Sequence, residues 1–540
     1  VIRWVVVVGS MASLLAAVVV AVAPAEEGTT IRPVAECSEL VGEFDLPGTR
    51  AHVTQAEPVP ERNEPAHCAV LGYVEPEVRF QLKLPTTDYT GRYLQYGCGG
   101  LCGELVPPAF PDCGPEIGGL AVAATDGGHV GQGPMRSSDG RWAAANQAAR
   151  DDFAFRAPHV VSMAAKRVIE DFYGEPPAFS YFAGCSNGGR EGLLLAQRYP
   201  HDFDGIIAGS PANYQSPVMI YQAWLSRTNT DPNGRPVLTA DQLPALHDAV
   251  MRHCDRIDGL VDGQIDDPRR CDYDPAPLLC PAGADQPTCL TPAQVDVVRR
   301  LYAGPTDAHG VRLYPAGQER GSELAWLGWL VPDESGNPTL SARLADNFLK
   351  QIGYPIGTPH SSLADIGFTV QEFIRLNAEG VRGSAMSLDL GEFRRAGGRL
   401  ILWHGWGDQG IPPRGLLDYY ERLARGDDDI RSWARVFMVP GMYHCGGGDK
   451  LTGVDPIREL LAWVEQGTAP DRILATGRDA SGEVVRTRPV FPYPLTARYD
   501  GTGSIDDAAN FEPAPPSGPT GDAVDWVGLY LHRKPGPVAP

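Results

Sequence analysis

Positive charge is scarce in this chain and never clusters: 46 Lys and Arg stand against 67 Asp and Glu, for a formal net charge of −21. With no basic run to meet a phosphate backbone or an anionic lipid surface, nucleic acid and membrane faces are excluded as partners. Long apolar runs are as rare. Beyond the first 25 residues no stretch could span a bilayer, and no repeat of fixed period recurs, which excludes solenoids and propellers. What remains, 43% hydrophobic and 21% charged over 540 residues, is a chain that folds around a large core with length to spare for an insertion.

The exception is the opening run, VIRWVVVVGSMASLLAAVVVAVAPA, with Arg3 ahead of an apolar stretch and Ala23-Pro24-Ala25 as a small-residue cleavage site. Residues 1–25 are expected to be a signal peptide, with an uncleaved anchor as the competing reading. Secretion, extracellular or periplasmic, makes the 11 cysteines candidates for disulfides, and their odd number leaves one thiol unpaired.

Val70 to Leu84 alternates apolar and polar residues and Arg92 to Tyr96 resumes an apolar run, so both read as strand. From Leu120, short apolar runs alternate with helical ones: GLAVAATDGG, a helix through His159 to Tyr173, AFSYFAG, GREGLLLAQRYP and GIIAGSPA. The rhythm returns at RLILWHGWGD, RGLLDYYERLARG, ARVFMVPGMYHC and DPIRELLAWVEQG. This is an α/β chain with a mostly parallel sheet. The expected organisation is a discontinuous catalytic domain over 26–212 and 399–515, an inserted lid over 213–398, and a Pro- and Gly-rich tail over 516–540, mostly poorly ordered.

Gly184-Cys185-Ser186-Asn187-Gly188 is a G-x-S-x-G motif between a strand and an amphipathic helix, the context of a nucleophile elbow in an α/β-hydrolase fold. A serine hydroxyl needs a base, and the base needs a carboxylate to hold its tautomer. Asp408 and His444 follow in the order Ser, acid, His, each after a strand. His404 is a rival base better read as a packed histidine, and His129 in ATDGGHVG belongs to a turn. Cys185 and Cys445 flank the serine and the histidine, so a triad would bring them within bridging distance. Charge developing on the carbonyl oxygen asks for two N–H donors, one from Asn187.

With its Cys185-Ser186, Asp408 and His444-Cys445 constellation, the chain resembles the tannase and feruloyl esterase family. GCSNGGREGLLLAQRYPHDFDGIIAGSPA, HGWGDQGIPP and RPVFPYPLTARYDGTGSIDDAANF carry that resemblance across nearly the whole mature chain. It implies a serine carboxylic-ester hydrolase that cleaves feruloyl, galloyl or terephthaloyl esters through an acyl-enzyme. It implies a bridge between Cys185 and Cys445, and a second oxyanion donor from Gly99 or Gly100. The acidic loop from Cys254 to Gln264 suits a hard cation. By resemblance it is a structural calcium site, with carboxylates from Asp255, Asp258 and Asp262 and backbone carbonyls from Leu260 and Gln264. The resemblance also implies the pairs Cys254 with Cys271, Cys280 with Cys289 and Cys37 with Cys68. Cys98, Cys102 and Cys113 then yield one pair and one free thiol, without saying which. A further C-terminal bridge of the family is missing, since Phe491 and Glu512 stand in its place.

Trp224, Trp326, Trp329, Phe348, Tyr354 and Phe368 are candidates for an aromatic slot, though most should be lid core. An arginine pairing a substrate carboxylate would favour a terephthalate-like acid, with Arg343, Arg375 and Arg382 as candidates. Two other functions are open: a catalytically silent, calcium-dependent secreted binding protein that keeps the fold, and an acyltransferase that uses the same triad.

Overall fold

The computed structural model describes residues 30–114, 117–282, 286–516 and 521–533, so the expected signal peptide at 1–25 lies outside the described residues. Strands β1 (Gly42–Leu46), β2 (Thr49–Val59), β3 (His67–Val74), β4 (Val78–Pro85), β5 (Tyr89–Tyr96) and β6 (Gly119–Thr125) are joined by β7 (Phe179–Cys185), β8 (Gly205–Gly209), β9 (Arg399–Gly405) and β10 (Ala434–Val439). They form one sheet in the order β1-β2-β3-β4-β6-β5-β7-β8-β9-β10. From β6 to β10 every pairing is parallel. The pairings from β1 through β4 to β6 are antiparallel. The expectation of a mostly parallel sheet therefore holds for one half of it. Strands β1 and β2 go beyond the sequence reading: β1 at the sheet edge buries none of its residues, and β2 buries only Ala51, Val53 and Ala56 of its 11, so neither carries a sustained apolar alternation.

The parallel half is covered on both faces, which is why its strands read as continuous apolar runs. Alternate residues serve two cores: Tyr93, Ile206, Leu400 and Leu402 pack on one face, while Leu94, Ile207, Ile401 and Trp403 pack on the other. The crossover helix Ala157–Tyr173 lies in the first core and stops at Gly174, whose φ of 83° only glycine adopts freely.

Neighbours β8 and β9 are separated by residues 210–398, which among the described residues add no strand to the sheet. That insert is helical, with Gln215–Thr228, Leu243–Cys254, Pro292–Ala303, Leu340–Asn347 and Val370–Gly380 as its larger elements. After β10, β11 (Gly453–Val454), β12 (Ile473–Arg478) and β13 (Val484–Val490) form a small antiparallel sheet. Beyond it β14 (Thr496–Tyr499) pairs with β15 (Phe511–Ala514), and Arg488 stacks 3.8 Å over Phe511.

The tail departs from expectation. Within residues 521–533, Trp526 and Leu531 join the main core, Val527 N–H donates to Arg312 O at 3.0 Å, and His532 is buried. The apolar run around Trp526 outweighs the flanking Pro and Gly, because burying such side chains stabilises by about 1.5–3 kcal/mol each.

His247, on the insert helix Leu243–Cys254, fastens the insert to the loop after β10. Its Nδ1 lies 3.0 Å from Glu323 Oε2 and its Nε2 3.1 Å from Asp449 Oδ2. Burial alone would lower its pKa, but the hydrogen bonds and charges of Asp449 and Glu323 prevail and raise it from 6.5 to about 10. A raised folded-state pKa gives stability that is complete below pH 6.5 and is lost as pH climbs toward 10. Thermal unfolding followed over that window should show a falling Tm in the parent protein. His247→Gln should flatten the fall and cost on the order of a few kcal/mol at pH 6. Parallel Tm curves for the two proteins would remove the latch.

Candidate active site

Strand β7 ends in a turn at Ser186 with φ 63° and ψ −120°, a strained setting for a residue with a β-carbon. The turn is possible because the backbones on either side nearly touch. A β-carbon on Gly184 would sit 2.4 Å from the carbonyl carbon of Gly188, and one on Gly97 would sit 2.6 Å from Gly188 Cα. The helix Asn187–Arg198 starts immediately after, so its first N–H groups open toward the serine.

Asp408, three residues beyond β9, is fully buried. Its Oδ1 accepts the N–H groups of Gly410 and Ile411 at 2.8 and 2.7 Å. Its Oδ2 lies 2.8 Å from His444 Nδ1 and 3.0 Å from His404 Nε2. Burial favours the neutral acid, yet the two imidazoles prevail and hold the carboxyl well below the usual carboxylate range. His444 N–H donates to Gln409 Oε1 at 3.1 Å, and the Trp329 ring meets the imidazole edge-on at 5.0 Å. Cys185 and Cys445 are disulfide-bonded across 260 residues of sequence, tying the elbow to the histidine loop.

A cavity of about 310 Å³ brings the expected residues together: Gly99, Gly100, Cys185, Ser186, Asn187 and His444 line its reacting end. Phe153, Val218, Met219, Trp329, Leu340 and Leu344 make it apolar elsewhere. Among the described residues neither Gly99 N–H nor Gly100 N–H donates a hydrogen bond, so both are free for a ligand. His404 is wholly buried, and its Nε2 also lies 2.8 Å from Ile411 O, so it is a packed histidine that braces Asp408. His129 is likewise buried in its turn, against Leu101 O and the Trp142 ring.

Of the six aromatic candidates Trp329 alone lines this cavity, its indole N–H donating to Gln222 Oε1 at 3.1 Å. Trp326, Phe348 and Tyr354 are insert core, and Trp224 is buried against Phe368. The arginines also separate. Arg375 is engaged by Glu372 and Ser361, and Arg382 by Asp151. Arg343 donates to Pro338 O and lies against the Met135 sulfur, itself at the cavity, with no carboxylate at ion-pair distance among the described residues.

The pairs Cys37–Cys68, Cys254–Cys271 and Cys280–Cys289 form as implied, and the open choice resolves as Cys98–Cys102 with Cys113 free and buried. Sequence reasoning did not single out Glu191, which is buried beneath the Cys98–Cys102 loop; its spacing of one helical turn from Asn187 was the available signal.

In the acidic loop, Asp255 Oδ1 accepts N–H groups from Asp262, Gly263 and Gln264 at 3.2–3.3 Å. Asp262 Oδ2 pairs with Arg488 at 2.5 Å, but its Oδ1 is buried without a partner. Partial desolvation, then the charges of Asp266, Asp262 and Asp255, push the Asp258 carboxyl above its ordinary range. The crowded carboxylates around Asp258, with the spare buried oxygen of Asp262, fit the donor set of a hard cation.

A family model described as tannase and feruloyl esterase matches residues 65–514. The chain is 34% identical to mono(2-hydroxyethyl) terephthalate hydrolase of Piscinibacter sakaiensis, over 84% of this chain and 85% of the relative. It is 30% identical to a probable feruloyl esterase of Arthroderma benhamiae, over 81% and 83% of the two chains. The crystal structure of feruloyl esterase B from Aspergillus oryzae superposes with a TM-score of 0.74 at 28% identity, covering 86% of this chain and 97% of that one. Matches of this length and coverage, on a sheet that carries the elbow where an α/β-hydrolase needs it, make the chain a member of the tannase and feruloyl esterase family and a carboxylic ester hydrolase.

Proposed function

We propose that the protein is an exported serine esterase acting on esters of aromatic acids through an acyl-enzyme. The observation that carries the reading is the 2.8 Å contact of His444 Nδ1 with buried Asp408, in a cavity that Ser186 shares. With Nδ1–H donated to the carboxylate, His444 Nε2 is the free base. It takes the Ser186 proton as Oγ attacks the ester carbonyl, and the N–H groups of Asn187 and of Gly99 or Gly100 receive the oxyanion. The imidazolium then protonates the departing alkoxide, and water repeats the sequence to release the acid. Acyl transfer to another acceptor would use the same steps, and product analysis separates the two. Five disulfides support an oxidising compartment.

For the acyl group, the apolar walls suit an aromatic ring, and Arg343 at the Met135 side suits a carboxylate on that ring. A terephthaloyl monoester combines both features, and a relative named for such an ester shares most of the chain. Calcium would be held by the Asp255, Asp258 and Asp262 carboxylates with the Leu260 and Gln264 carbonyls. Bound there it would neutralise the loop and order the insert, with no part in acyl transfer.

Three outcomes follow from this reading. Ser186→Ala should lower kcat by about 10⁴-fold or more and abolish the burst of alcohol release; persistent turnover would sink the serine mechanism. Arg343→Leu should lower kcat/KM for mono(2-hydroxyethyl) terephthalate by roughly 10–10²-fold while leaving methyl ferulate within about 3-fold, and an equal loss on both esters would remove the carboxylate contact. EDTA should lower Tm and added calcium restore it, through a stabilisation of about 2.7 kcal/mol when calcium stands at 100 times its Kd. Unmoved melting with no metal by elemental analysis would leave the loop as solvated acid.

A further inference from the structure

The Cys98–Cys102 disulfide closes a five-residue ring around Gly99 and Gly100, the two glycines at the reacting end of the Ser186 cavity. Inside the ring Cys102 N–H donates to Gly99 O at 2.9 Å, and Leu101 N–H donates to Ser137 O at 2.7 Å. A β-carbon on Gly100 would lie 2.3 Å from that same Ser137 oxygen, so the loop backbone is pressed close there. On the opposite side Gly127 presses on Cys102, but Gly99 is unpacked, since a β-carbon there would meet nothing within 4 Å. A second cavity of about 440 Å³, lined by Cys98, Gly99 and Cys102, runs along the outside of the ring, and Gly99 is exposed.

Beneath the ring stands Glu191. Its Oε2 accepts Cys98 N–H at 3.1 Å, and its Oε1 accepts from Asn187 Nδ2 at 3.2 Å and lies 3.1 Å from Cys98 Sγ. The Asn187 amide also donates to Cys98 O at 3.3 Å, while its oxygen accepts Arg190 Nε–H at 2.8 Å. The two sources of oxyanion donors, the glycine loop and the first residue of the elbow helix, are thus joined through one side chain and one buried carboxylate.

We propose that the Cys98–Cys102 disulfide is a positioning element for oxyanion stabilisation, holding the Gly99 and Gly100 N–H groups in place where Gly99 lacks packing on the outer side. Adjacent glycines are the most conformationally free pair a chain can carry, and oxyanion donors act only if they are aligned before charge develops. The covalent link removes that freedom on one side, and Glu191 removes it from below. The inference rests on the Ser186 acyl-enzyme reading.

The test is the double variant Cys98→Ala, Cys102→Ala, assayed for kcat, KM, Tm and the affinity of an aryl boronic acid, which adds to the serine hydroxyl as a charged tetrahedral centre. Deleting one oxyanion donor outright costs about 10²–10³ in kcat, and loosening two should cost about 10-fold. The expected result is that kcat and boronate affinity fall together by that factor, while KM and the affinity of the free product acid stay within about 3-fold. A folded variant with parental kcat and boronate affinity, whatever its Tm, would reduce the bridge to a staple. Should the first variant not fold, Cys98→Val, Cys102→Ala restores the lost volume without the link and is read by the same criteria. Labelling of Ser186 by a fluorophosphonate in the parent checks the underlying reading separately. No label there would overturn the serine mechanism, whereas normal labelling beside an unaffected variant would overturn only the role of the bridge.

Discussion

A carboxylate with no access to water has to remain charged at the centre of this molecule. Removing Asp408 from solvent costs several kcal/mol unless its oxygens are fully engaged, and here two backbone N–H groups and two imidazoles engage them. His444 is one of those partners, so the loop that bears it cannot drift without stranding a buried charge. The same loop is held twice more, by the Cys185–Cys445 bridge to the elbow and by the contact of Asp449 with His247 on the insert. Base position, insert position and the charge of Asp408 are therefore one coupled problem.

The other side of the cavity is built on a different principle. Around Ser186 the backbone segments approach too closely for side chains, so precision comes from glycine contacts and from polar groups set below them. Arg190 is buried and is satisfied by Asn187 Oδ1 and three backbone carbonyls. Its neighbour Glu191, pushed up by burial to about 7, is satisfied by the oxyanion loop. Adjacent opposite charges on one helix thus serve different tasks, one anchoring the elbow helix to its surroundings and the other anchoring the glycine ring to the elbow.

The helical insert adds what the sheet cannot. Trp329 from the insert stands over His444 and is fixed through Gln222, whose Nε2–H donates to Gly410 O at 2.6 Å in the loop that follows Asp408. The cavity wall and the loop that follows Asp408 thus share one hydrogen-bonded side chain, so the two are mechanically linked. The acidic loop is tied to β13 by the pairing of Asp262 with Arg488, and its Gly263 and Gln264 share a small cavity with Gly407, Gly441 and Asp449 of the loops that follow β9 and β10.

The elbow, Asp408 and His444 were legible from the sequence because each is defined by local pattern: an apolar run, a turn with glycines, and a chain order that acyl transfer requires. The parallel half of the sheet and the place of the insertion were legible for the same reason, as apolar period reports burial. Resemblance supplied four disulfide pairs, and the structure contains them. The tertiary structure alone decided which of Cys98, Cys102 and Cys113 stays free, that Trp329 lines the cavity while its rivals pack elsewhere, that Arg343 lies against Met135 of the cavity wall, that His404 braces Asp408, and that Glu191 sits beneath the glycine loop. Each of those depends on where a side chain points once segments far apart in sequence have packed, and the direction of a side chain across such a contact is set by the packing, not by its neighbours along the chain.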